Sequence, residues 1–163
     1  MTTLYITPKA WHQIERAVRK NPFVETGGIL MGYAINENDW LITYASEPGP
    51  KAIQAPLSVR FDDQYLRNLA KRLSRRGRWK YIGDWHSHTV RRLTPSRADR
   101  NTVWEKATSA KYTSSSPIML IAGLGKRNQV QARGFILIGS LREVQQIVLA
   151  ERPSRRRHGG KAP

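Results

Sequence analysis

The stretch GDWHSHTVRRLTPSRAD, Gly83 to Asp99, decides how the rest of the chain is read. It carries two of the four histidines, His86 and His88, one residue apart; Ser96 follows after seven residues and Asp99 after two more, giving His-x-His-x7-Ser-x2-Asp. The aromatic run before it, WKYIGDW (Trp79 to Trp85), reads as a buried or half-buried strand whose side chains alternate between two faces. On that alternation Tyr81, Gly83, Trp85 and Ser87 share one face, and Ile82, Asp84, His86 and His88 share the other. Two imidazoles then leave a strand end in the same direction. After a loop holding Thr94 and Pro95, Ser96 to Asp99 has the form of a capping box that opens a helix. Asp99 falls in the first turn, where its carboxylate can fold back towards the strand end.

Two neutral imidazoles, one carboxylate and a vacancy for water make up the three-ligand set of a catalytic zinc site. A structural zinc site would fill the fourth position, usually with cysteine, and the chain has none. His-x-His alone is a weak signal, since strand-end histidines and a helix cap occur without metal. The whole spaced set carries more when a carboxylate elsewhere suits it. That carboxylate is Glu25 in FVETGGILMGY, ahead of two glycines and the apolar strand Ile29, Leu30 and Met31. The glycines permit close backbone approach, which lets a carboxylate at the strand entrance lie against the water.

Glu25, His86, Ser87, His88, Ser96 and Asp99 together resemble the complete signature of the JAMM (MPN+) metalloprotease family, also called the JAB domain. PGPKA (Pro48 to Ala52), FDDQYL (Phe61 to Leu66) and YIGDWHSH (Tyr81 to His88) resemble the prokaryotic JAB branch, whose short peptidases are encoded beside ubiquitin-activating-like and ubiquitin-conjugating-like genes in bacterial defence operons. The resemblance spans about residues 3 to 140. The chain departs from it at Thr89, where the family usually has proline. It implies an α+β fold of the JAB/MPN, cytidine-deaminase-like kind: a curved, mainly antiparallel sheet flanked by helices.

Further out, 163 residues at 39% hydrophobic content suit one domain able to bury its own core. The expected division is a metalloprotease domain over 1–151 and a flexible basic tail over 152–163, where RPSRRRHGGKAP offers no apolar side chain larger than alanine. The absence of cysteine excludes a disulfide framework and a thiolate nucleophile. No apolar stretch approaches the roughly 20 residues of a membrane helix, and MTTLYITPKAW lacks the pattern of a secretory leader. The cytoplasm is therefore the expected compartment. Lys and Arg number 28 against 12 Asp and Glu, a net charge of +16 that attracts polyanions and acidic protein surfaces.

Thr3 to Ile6 reads as a strand, and Thr7 with Pro8 starts a helix that Asn21 and Pro22 end, with Trp11, Ile14 and Val18 on its apolar face. Gly27 to Ala34 and Trp40 to Ser46 form a strand pair across a turn at Asn36 to Asp39. Glu47 to Ser58, with three prolines, is expected to be an exposed loop. A second helix spans Asp62 to Arg76, capped by Asp62 or Asp63, with Leu66, Leu69 and Leu73 buried. Its other face carries Arg67, Lys71, Arg72, Arg75 and Arg76, continuing into Arg78 and Lys80; this is either a solvated face or a dock for an acidic partner. Ser96 to about Ser109 forms a third helix, with Ala98, Val103, Trp104 and Ala107 as candidates for its apolar side. Tyr112 to Pro117 is a loop, and Pro117 to Leu124 and Val130 to Ile138 are strands. Leu141, Val144, Ile147 and Val148 fit either a closing helix or a last strand.

The predicted chemistry is hydrolysis of an amide or isopeptide bond. His86, His88 and Asp99 hold Zn²⁺, Glu25 moves the proton, Ser96 donates to the oxyanion, and Asp84 and Ser87 support the ligands from behind. By resemblance the substrate is the C-terminal tail of a ubiquitin-like modifier or of a protein conjugated in that way, with activating-like and conjugating-like enzymes as further partners. The Glu47 to Ser58 loop would wall the substrate groove. Two alternatives remain open: processing of a sulfur-carrier protein, and a nonenzymatic JAB-fold module that binds nucleic acid through its basic residues and tail.

Overall fold

The computed structural model describes residues 1–77, 79–109, 114 and 116–150. β1 (Thr3–Ile6) leads into α1 (Pro8–Lys20), whose first turn is closed by the Thr7 hydroxyl accepting from the Ala10 amide. β2 (Gly27–Ala34) and β3 (Asp39–Ala45) follow as an antiparallel pair. The turn between them is held by the Asn36 carboxamide oxygen, which accepts from the amides of Asn38 and Asp39. Next come β4 (Ile53–Ala55), β5 (Ser58–Arg60), α2 (Asp63–Ser74), β6 (Lys80–Ser87) and α3 (Arg97–Thr108). β7 (Ile118–Leu124), β8 (Val130–Ile138), β9 (Ser140–Glu143) and β10 (Gln146–Leu149) complete the described chain.

One eight-stranded sheet runs in the order β10-β1-β3-β2-β6-β7-β8-β9. Its pairings β2–β3, β2–β6, β7–β8 and β8–β9 are antiparallel, and β1–β10, β1–β3 and β6–β7 are parallel, so it is mixed with a small antiparallel majority. On one face α1 sets Ala10, Ile14, Ala17 and Val18 against Leu4, Leu30, Ile42, Trp85 and Leu120. On the other, Leu66, Leu69 and Leu73 of α2 pack on Ile29, Met31 and Tyr81. Each such leucine contributes about 2 kcal/mol of transfer free energy, enough for three of them to hold a helix whose outer face is charged. Leu93, Met119, Ile121 and Phe135 form a third cluster.

The structure corrects the strict alternation expected along Trp79 to Ser87. Leu30 pairs with Gly83 but Met31 with Tyr81, so Ile82 is an extra residue in β6 and the ladder bulges there. Ile82 consequently joins Trp85 in the α1-side core, while Tyr81 turns to the face of Asp84. Gly83 makes the bulge possible, because a Cβ there would lie 1.9 Å from the Ile118 carbonyl oxygen. Beyond the bulge alternation resumes, leaving His86 on the Asp84 face as expected.

Other expectations also change. Glu47 to Ser58 is not all loop: β4 and β5 make a two-stranded hairpin across Pro56 and Leu57, strands too short to leave a periodic signal. The last apolar residues form two short strands, and β10 docks parallel on β1. α3 buries only Val103; Ala98 and Trp104 are exposed, because the helix meets the sheet along a narrow line. Arg78, much of the Tyr112 to Pro117 loop and the 152–163 tail lie outside the described residues. Among the described residues no helix is long and apolar enough to cross a membrane.

Candidate metal centre

β6 ends at the centre of the sheet between β2 and β7, and this placement decides where the imidazoles go. The Ser87 amide donates to the Thr26 carbonyl at 2.7 Å and the His88 amide to the Ala122 carbonyl at 2.9 Å, so both neighbouring strands fix the His-x-His backbone. α3 then begins at Ser96. Its hydroxyl accepts from the Asp99 amide at 3.1 Å, and the Asp99 carboxylate accepts from the Ser96 amide at 2.8 Å, closing the capping box. The same box aims Asp99 back at β6.

The Nε2 atoms of His86 and His88 stand 3.1 Å apart. Asp99 places Oδ1 at 3.3 Å from His86 Nε2 and Oδ2 at 3.3 Å from His88 Nε2. On its far side His88 Nδ1 lies 2.8 Å from the Arg92 carbonyl oxygen. A carbonyl only accepts, so Nδ1 carries the hydrogen and Nε2 presents its lone pair to the cluster. The His88 lone pair and the Asp99 carboxylate thus face the same point as His86 Nε2, an arrangement suited to a cation or a proton between them. His86, His88 and Asp99 are grouped in the way a metal ion would require, with one ligand atom from each lying within 4.8 Å of the others. Two nitrogens and one oxygen suit a divalent transition metal and leave an open coordination position.

The electrostatics agree with the crowding. Burial pushes Asp99 up, but hydrogen bonds with His86, His88 and the Ser96 amide outweigh it and hold its carboxyl far below the usual range. The hydrogen bond with Asp99 raises His88, against burial, and the Arg92 carbonyl adds to the rise.

Glu25 is 8% exposed and lines the same cleft as His86, Ser96 and Asp99, a cavity of about 650 Å³. Burial raises its pKa, while His86 and His88 pull it back. The β4–β5 hairpin holds its backbone: the Glu25 amide donates to the Ala55 carbonyl at 2.8 Å, and Gln54 Nε2 donates to the Glu25 carbonyl at 3.1 Å. Leu57, Ser58 and Val59 of the same hairpin line the cleft, so this segment walls it. Ser87 and Asp84 act elsewhere than directly on the imidazoles. The Ser87 hydroxyl accepts from the Thr26 amide at 2.9 Å, tying the Glu25 strand to β6. Asp84 accepts from the Tyr81 hydroxyl at 3.1 Å and pairs with Lys106 of α3.

Sequence reasoning missed three contributors. Arg92 acts through its carbonyl, which no side-chain pattern announces. Gln54 was hidden in a segment read as loop. Lys106, half-buried against Asp84 and lying 5.2 Å over the Phe61 ring, looks in sequence like one more surface cation.

Residues 7–135 match the family model described as prokaryotic homologs of the JAB domain. A Sinorhizobium fredii (strain NBRC 101917 / NGR234) protein named "Probable metalloprotease y4qB" is 32% identical over 108 residues, 64% of this chain and 66% of that protein. An Enterobacter hormaechei subsp. hoffmannii (strain UCI 50) protein named "CD-NTase/cGAS isopeptidase" is 27% identical over 126 residues, 74% of this chain and 67% of the relative. The chain thus spans about two thirds of the length of the curated relatives it matches. The solution structure of protein DSY2949 from Desulfitobacterium hafniense superposes with a TM-score of 0.70 at 20% identity, covering 95% of this chain and 98% of that one, a likeness of fold.

Proposed function

The chain belongs to the prokaryotic homologs of the JAB domain, a family whose relatives include a metalloprotease and an isopeptidase, and from that premise we propose that it is a zinc-dependent isopeptidase or peptidase. Its substrate is the C-terminal tail of a ubiquitin-like modifier, or of a protein conjugated in the same way, within a bacterial ubiquitin-like pathway of anti-phage defence. The convergence of His86 Nε2, His88 Nε2 and Asp99 on one point beside a buried glutamate carries this reading. A relative named for isopeptidase activity supports cleavage at a conjugated amine.

His86, His88 and Asp99 would hold the zinc, which when bound acidifies water and polarises the scissile carbonyl. Glu25, with its pKa raised by burial, is a better proton acceptor than an exposed glutamate. It takes a proton from the attacking water and delivers it to the leaving amine. The Ser96 hydroxyl already accepts the Asp99 amide through its oxygen, which leaves its own proton free to donate to the developing oxyanion. The hairpin from β4 to β5 excludes water from one side of the cleft and holds Glu25 in place.

The test is cleavage of a ubiquitin-like protein joined through its C-terminus to a lysine side chain. Glu25→Ala keeps the metal and loses hydrolysis; His86→Ala and Asp99→Ala lose both. Metal loss in Glu25→Ala, or hydrolysis that survives chelation, would overturn the assignment.

A further inference from the structure

The sheet does not close on itself, and the gap has a definite chemistry. β9 pairs with only the Phe135 to Ile138 half of β8. Among the described residues, Val130 to Arg133 therefore have a ladder partner on the β7 side alone. β10, at the opposite margin, pairs among the described residues with β1 alone. Curling of the sheet brings the two margins together, and the Val144 amide donates to the Gly134 carbonyl at 2.9 Å. Beyond that contact a cavity of about 740 Å³ opens between them.

Val130, Gln131, Ala132 and Arg133 all line this cavity. Successive strand residues point to opposite faces, so a cavity touching four in a row runs along the strand's edge. The edge offers unpaired backbone N–H and C=O groups, the usual template for another strand. Ile6, Trp11, Ile147 and Leu149 give the cavity an apolar floor. Arg91 and Arg92, both exposed, stand on its rim, and among the described residues neither makes an ion pair, whereas Arg133 is already matched to Glu143.

We propose that this seam binds an extended acidic segment of a partner protein, which adds to the free edge of β8 by main-chain hydrogen bonds. Alternate side chains of the segment enter the Trp11, Ile147 and Leu149 floor, and the others, acidic, meet Arg91 and Arg92. The chain's own residues after Ala150 are a poor occupant: ERPSRRRHGGKAP is arginine-rich, with one acidic residue, and offers no apolar side chain larger than alanine. The seam is separate from the cleft that holds Glu25, although the Arg91 to Thr94 loop borders it and also supplies the carbonyl that orients His88.

The experiment measures fluorescence anisotropy of a labelled eight-residue peptide of alternating glutamate and valine with the full chain. Binding is expected, weakened at least tenfold by Arg91→Glu combined with Arg92→Glu, and equally by Leu149→Glu, a substitution at a half-exposed position that the fold tolerates. A peptide of the same charge with proline in place of valine should bind at least tenfold more weakly, because every second N–H is lost and the fixed φ of proline disfavours a paired strand. No binding, equal binding of the proline peptide, or indifference to Leu149→Glu overturns the proposal. Displacement by oligothymidylate at equal charge would mark a general polyanion surface instead. Tighter peptide binding after truncation at Ala150 would make the chain's own tail the occupant.

Discussion

On the proposed mechanism Ser96 serves fold and chemistry together. Its oxygen caps α3 and, on that mechanism, its proton is left for the substrate, so Ser96→Ala removes both. Loss of the cap costs about 1 kcal/mol of stability, and loss of one oxyanion donor lowers kcat about a hundredfold or more. Thermal melts and steady-state kinetics on one preparation separate the two effects, and a small melting shift with a large kcat loss is the expected outcome. His88 and Asp99 set the pH behaviour of the metal-free protein. Asp99, lowered from 3.8, stabilises the fold above that pH and loses its contribution as pH falls through its depressed value. His88, raised from 6.5, contributes fully below that pH and loses its contribution as pH rises through its elevated value. The metal-free protein should therefore gain most from this pair between about pH 4 and 6.5. Metal and proton compete for His88, whose pKa is raised, so titration calorimetry in buffers of different ionisation enthalpy should register proton release, and affinity should fall on acidification.

At the level of elements, the weak point is α3. It carries Asp99 and Ser96, yet it buries only Val103 and leaves Trp104 to solvent. Besides the Asp99 contact with His86, it is tied to β6 by the Asp84–Lys106 pair, whose side chains are 15% and 13% exposed. Lys106→Met leaves the partly buried Asp84 without that countercharge, which should destabilise the protein by about 1–3 kcal/mol. Combined with Asp84→Asn, the loss should shrink, since no bare charge remains. Because α3 carries Asp99, a ligand on the proposed reading, zinc affinity should drop in Lys106→Met and recover in the double variant; a single variant with unaltered affinity would mean that the capping box alone positions Asp99. The β6 bulge is the other sensitive point. Gly83→Ala pushes a methyl group into the Ile118 backbone and should destabilise by more than about 3 kcal/mol, measured by denaturant unfolding.

For the whole molecule, the net charge of +16 acts over distances that no single contact covers. Polyanion binding should fall steeply with salt, and removal of residues 152–163 should flatten that dependence while leaving hydrolysis intact; unequal hydrolysis by the two forms would place the tail in substrate capture. Three helices and most of the strands were legible in the chain, because Ile14, Leu66 and Leu73 mark buried stripes and Thr7, Asp62 and Ser96 mark helix starts, all local signals. The spaced histidines, Ser96 and Asp99 were legible for the same reason. The β4–β5 hairpin, the order of strands and the exposure of Trp104 were not, since each depends on which distant surface a segment meets. Sequence by itself determined the donor types and their facing along β6 past the bulge. Only the tertiary structure brought Glu25 into the cleft, aimed His88 through the Arg92 carbonyl and opened a seam beside β8, because strand pairing and backbone acceptors are set by the path of the folded chain and leave no mark on residue type.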